Sequence, residues 1–135
     1  MSSVPDAGSF VFDENLAPQL AQAFRLLDDE SKVDHITTFY AAGTEDVAYL
    51  PDFGRTGAFL VTRDARQRKK PAELAAYRIH GVGAFILGGK NLDRWELVKQ
   101  LVLSWPQITE AASKTRRPFA YRVRANGGKL EPLSL

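Results

Sequence analysis

Two periodicities alternate along the chain. Ser9-Phe10-Val11-Phe12 is a short apolar run and predicts a buried strand, ended by Asp13-Glu14-Asn15. Leu16, Leu20, Ala23, Phe24 and Leu27 then recur at helical spacing and predict a helix over about 15 to 28, with Pro18 in its first turn. Val33 to Phe39 is β-rich and predicts a second strand. Ala42-Gly43-Thr44 reads as a turn with Thr44 as N-cap, and a short helix follows from about Glu45 to Phe53, with Pro51 arguing against it. Ala58 to Thr62 is the strongest strand signal.

Pro71 opens a helix that stops at Gly81, and Val82 to Leu87 is the fourth strand. The longest helix spans about 92 to 113, with Trp95, Val98, Leu101, Val102, Trp105 and Ile108 read as its apolar stripe and a bend expected at Pro106. Phe119 to Arg124 alternates at period two, and the Asn126-Gly127-Gly128 turn lets a short terminal strand pair back. The order is β-α-β-α-β-α-β-α-β. It predicts the α/β class: a mostly parallel central sheet of about five strands with helices on both faces. A chain of 135 residues suits one domain over 9–135, after a flexible N-terminus at 1–8.

Composition removes several kinds of chemistry. There is no cysteine, which excludes disulfides, thiolate metal sites and a cysteine nucleophile. With only His35 and His80, a metal site would have to be carboxylate-rich. No apolar run is long enough for a membrane span and the N-terminus has no signal-peptide pattern, so a cytoplasmic location is expected. The net charge of +2 hides a division. Residues 1–64 carry eleven acidic against four basic residues, a net −7, and residues 65–135 carry five against fourteen, a net +9. Such a division points to an anionic partner, or to solvated faces of opposite sign.

In open parallel sheets, ligands bind beyond the carboxyl ends of the strands. Asp13 follows the first strand and Asp64 the third, while Asp46 opens the helix that leads into the third. Glu14 and Asp34 are further candidates. Carboxylates gathered together need a cation, and an all-oxygen set selects Mg²⁺ or Mn²⁺. Read blandly, the same acids are helix caps and loop residues. Arg63, Arg66, Arg68, Lys69 and Lys70 adjoin Asp64, and with Arg116 and Arg117 they form a candidate phosphate-binding track. Tyr77 and Tyr121 are candidates for base stacking, whereas Trp95 and Trp105 read as core.

The Phe-Asp-Glu-Asn-Leu run at 12–16, Gly-Thr-Glu-Asp at 43–46 and Val-Thr-Arg-Asp at 61–64 resemble, in order and spacing, the signatures of PIN-like domains. Asn91 through Trp95 to Trp105-Pro106, then Arg117-Pro118-Phe119, resembles a branch typified by toxins of bacterial toxin–antitoxin pairs. The resemblance implies a three-layer sandwich and a metal-dependent endoribonuclease. It implies Asp13, Asp46 and Asp64 as catalytic, metal-binding acids, with Glu14 as an additional metal ligand, Mg²⁺ or Mn²⁺ as cofactor, and Asn15 and Thr62 as supports. It also implies RNA as substrate and a small antitoxin protein as partner. Larger PIN nucleases carry a fourth acid beyond the third, where this chain has Arg66 to Lys70. That departure keeps open an inactive PIN-like module that binds RNA or protein. A phosphoacceptor receiver domain shares the outline, but the Ser or Thr ending the fourth strand and the Lys ending the fifth are missing. Apolar residues around Tyr49-Leu50-Phe53 are candidates for a homodimer face.

Overall fold

The computed structural model describes residues 4–64 and 71–135. Strands and helices alternate as β1 (Phe10–Phe12), α1 (Pro18–Leu27), β2 (Val33–His35), α2 (Asp46–Thr56), β3 (Phe59–Arg63), α3 (Pro71–His80), β4 (Gly83–Leu87), α4 (Arg94–Lys114), β5 (Phe119–Val123) and β6 (Glu131–Pro132). They form one sheet in the order β2-β1-β3-β4-β5-β6, parallel throughout except for antiparallel β6. The six strands are the expected five and the short returning one. Strand order reverses between β1 and β3, which is where open sheets of this kind place their ligand crevice.

Period-two alternation sorts the strands onto two cores. Phe10, Phe12, Val61, Phe85 and Leu87 pack against α1 and α4. Val11, Leu60, Ala84 and Ile86 face the other way, onto Tyr49, Leu50 and Phe53 of α2 and Tyr77 of α3. All five positions of β4 are buried, as a central parallel strand covered on both sides requires. The expected dimer face at Tyr49, Leu50 and Phe53 is therefore interior, because these residues cover the sheet.

Three local expectations change. The β-rich run from Val33 is a strand only to His35, and Ile36–Thr38 forms a 3-10 turn. There the His35 ring accepts the Thr37 N–H at 3.3 Å, a local bond that competes with the ladder. Neither Pro51 nor Pro106 ends its helix. The carbonyl each would leave unbonded, four residues back, belongs to Val47 or Val102, both exposed to water. Finally, the buried stripe of α4 is Leu97, Gln100, Leu101, Ser104 and Ile108, behind an Asp93–Glu96 capping box. This register turns Trp95 outward, 77% exposed, against the expectation of core packing.

Trp105 is packed as expected, 4.9 Å from the Phe24 ring, and its indole N–H donates to Asp28 at 2.8 Å. That bond holds the Asp28 carboxyl below the usual carboxylate range. Trp105→Phe keeps the ring packing and removes the bond, so a loss of about 1 kcal/mol is expected at neutral pH in denaturant unfolding. The folded-state carboxyl is the more acidic one. The difference therefore holds above the ordinary value of 3.8 and fades as pH falls through the lowered value. Variant and wild type should converge in strong acid.

Candidate functional site

The alternation that builds the second core continues past the strand ends. Val11 and Asp13 share a face of β1 and its extension, and Leu60, Thr62 and Asp64 share the same face of β3. The Asp13 N–H bonds the Val61 carbonyl at 3.0 Å, and the Asp64 N–H bonds the Leu87 carbonyl at 3.0 Å. Each acid is thus fixed by the neighbouring strand rather than by a loose loop. Asp46 enters from α2, whose first turn lies over the same core.

Neutral donors hold the Asp13 and Asp46 carboxylates. Thr62, fully buried, donates its hydroxyl to Asp13 Oδ2. Asn15 donates its backbone N–H to Asp13 Oδ1 at 3.0 Å. The Asn15 amide clamps the end of β3, donating to the Arg63 carbonyl at 2.8 Å and accepting the Arg63 N–H at 3.2 Å. Tyr49 donates to Asp46 Oδ1 at 2.5 Å. Burial and the Asp46 hydrogen bond push the Tyr49 phenol far above its ordinary pKa, so the hydroxyl stays a donor.

Tyr77 was a candidate for base stacking, but its side chain is fully buried. Its hydroxyl feels the charges of Asp46, Asp13, Glu73 and Asp64. Glu73 lies one helical turn before Tyr77 on the same face of α3. The sequence just beyond Asp64, where larger PIN nucleases carry a fourth acid, is basic. Glu73, nine residues on, is an acid in the first turn of α3 instead. The available signal was its i, i+4 spacing to a tyrosine. Gly54 lets the helices approach: a Cβ there would lie 1.6 Å from the His80 carbonyl oxygen, so any larger residue would force α2 and α3 apart.

The donor chemistry suits a hard divalent cation, because every converging side chain offers oxygen. As they stand, however, no three acidic or histidine side chains form a metal-holding group among the described residues. Asp46 is turned to Tyr49, and Asp13 to Thr62 and Asn15.

Other expected residues lie elsewhere. Glu14 accepts the Gly43 N–H at 2.7 Å and ties β1 to the turn before α2. Asp34 pairs with Arg25 and accepts from Ser9 at 2.9 Å, at the opposite end of β1 from Asp13. His35 holds the Leu16 carbonyl at 2.8 Å. Arg63 donates to the Leu92 carbonyl at 3.0 Å. Arg66, Arg68, Lys69 and Lys70 fall outside the described residues. Arg116 and Arg117 precede β5 and so stand at the amino edge of a parallel sheet, away from the acids. The Arg117 guanidinium points inward, bonding the Gly57 and Ala58 carbonyls with its carbon 4.4 Å from the Phe59 ring centre. It is a structural residue, not part of a phosphate track.

A family model described as a PIN like domain matches residues 9–89. The chain belongs to the PIN-like domain family. The matched span runs from β1 through β4 and contains Asp13, Asp46, Asp64 and Glu73. No curated protein and no solved structure matches the chain. No helix among the described residues is long and apolar enough to cross a membrane.

Proposed function

We propose that this protein is a metal-dependent endoribonuclease, the toxin component of a toxin–antitoxin pair. The carrying observation is that Asp13 and Asp64 end the adjacent strands β1 and β3 on one face, with Asp46 opening α2 over the same core, beside the point where strand order reverses. Membership of the PIN-like family supports the nuclease reading, and the resemblance of 91–119 to toxin sequences supports the finer one. Asp13, Asp46 and Asp64 would hold Mg²⁺ or Mn²⁺. When bound, such an ion supplies the positive charge that phosphodiester hydrolysis needs. Thr62 and Asn15 orient Asp13, and Tyr49 orients Asp46. Outer partners of this sort fix ligand direction. An antitoxin would cover the acids, with an Arg or Lys from the partner as the natural electrostatic match.

One observation favours a second reading, an inactive PIN-like module that binds RNA or protein: Asp13 and Asp46 are held by hydroxyl and backbone amide donors, and no three acids are grouped for an ion among the described residues. Incubating labelled RNA with the protein in Mg²⁺, in Mn²⁺ and in chelator separates the two. Cleavage that stops in chelator is the expected result. Retention of RNA in all three conditions without cleavage would establish the binding module instead.

RNA affinity is expected to fall steeply with salt. Replacing Arg66, Arg68, Lys69 and Lys70 together by Ala should flatten the log–log salt slope by about three, at roughly 0.7 per phosphate contact on a single strand. Arg116→Ala, at the opposite edge, should leave the slope unchanged. Equal effects from both would place the RNA elsewhere.

A further inference from the structure

Tyr77 is fully buried in the α2–α3 core, and its hydroxyl has no hydrogen-bond partner among the described residues. Tyr77 packs in the same core as Val11 and Leu60, on the sheet face that carries Asp13, Thr62 and Asp64 at its carboxyl edge, yet no carboxylate is bonded to its hydroxyl. Its neighbour Tyr49 differs in that one respect, since Tyr49 already holds Asp46 at 2.5 Å. A buried hydroxyl without a partner is unfavourable, and a phenylalanine would fill the same space without that penalty. Loss of stability at a site is a common companion of function. The burial also decides what can meet this donor. The Tyr77 side chain is fully buried, so a group in bulk solvent does not reach it.

We propose that Tyr77 is a positioning residue of the acid cluster: its hydroxyl takes up a carboxylate oxygen when the acids gather on a divalent cation. The inference rests on the metal-dependent reading above. It accounts for two facts together, the unbonded donor in the core beneath the acid-bearing face and the absence of a ready three-acid group among the described residues. Tyr49 holds Asp46 in the arrangement described here, and Tyr77 is the donor for the gathered one. Loss of such an outer partner weakens metal binding by about 10- to 100-fold.

Mn²⁺ titrations followed by electron paramagnetic resonance, on wild type, Tyr77→Phe and Asp64→Asn, test this without using cleavage. They are run well below the melting point of each protein, so that only folded protein is compared. Expected are binding by wild type, loss of binding in Asp64→Asn, and affinity about 10- to 100-fold weaker in Tyr77→Phe. Without metal, Tyr77→Phe should melt at or above the wild-type temperature, since a merely structural hydroxyl would instead lower it. Wild-type affinity in Tyr77→Phe, with Asp64→Asn still deficient, would overturn the role of Tyr77 alone. Failure of wild type to bind Mn²⁺, or equal binding by Asp64→Asn, would overturn the metal-dependent reading beneath it.

Discussion

Asp64→Asn should remove metal-dependent RNA cleavage while leaving the fold intact. The backbone of Asp64 is held by the Leu87 carbonyl, a bond the substitution does not touch. The side chain is 2% exposed and shares its face with Thr62 and Leu60. Asparagine keeps its shape and removes its charge. A hard cation depends on that charge more than on the oxygen itself. Loss of an outer partner already reduces metal-site activity about 10- to 100-fold, so loss of a direct ligand should exceed the upper figure. Asp13→Asn should behave alike. Asp34→Asn is the control, because its carboxylate serves Arg25 and Ser9 at the other end of β1. That change should lower stability and spare cleavage measured in the cold. Cleavage by Asp64→Asn within tenfold of wild type would remove the acid cluster from the reaction.

The features that place Asp64 were legible in sequence where the period was strict. Val11 with Asp13, and Leu60 with Thr62 and Asp64, differ by even steps, so one face of a parallel sheet had to collect them at its carboxyl edge. Strand and helix order followed from the same alternation. What was not legible depended on how helices turn and cross. On α4, the stripe through Trp95, Val98 and Val102 competes with one through Leu97, Leu101 and Ile108, and packing against the sheet selected the second. On α3, nothing in the sequence states that Tyr77 is buried. Its depth follows from the close α2–α3 approach at Gly54, a tertiary fact. Arg117 looked like part of a basic surface because charge alone does not reveal direction. Two open carbonyls and an aromatic ring drew it inward.

Phe85→Ala is the stability prediction with the largest expected effect. The ring is fully buried at the centre of β4. Tyr121 stacks on it at 6.0 Å and 14°, and Phe119 meets it edge-on at 5.4 Å. Phe10 and Phe59 close the far side at 6.3 and 6.2 Å. Truncation leaves a cavity among four aromatic rings that strands β1, β3 and β5 all support, so collapse around it is restricted. A loss of about 3–5 kcal/mol is expected, against a total of about 5–15 for a domain. The melting temperature should fall by roughly 10 °C or more. Cleavage should suffer too, through β4: Leu87 holds the Asp64 N–H, and Ile86 lies on the acid-bearing face. This loss differs in kind from that of Asp64→Asn. Cooling should restore metal-dependent cleavage to Phe85→Ala, because the acids keep their charges once the sheet is formed. It should restore nothing to Asp64→Asn. A Phe85→Ala protein that melts within 3 °C of wild type would show that the aromatic cluster does not carry the stability of the sheet.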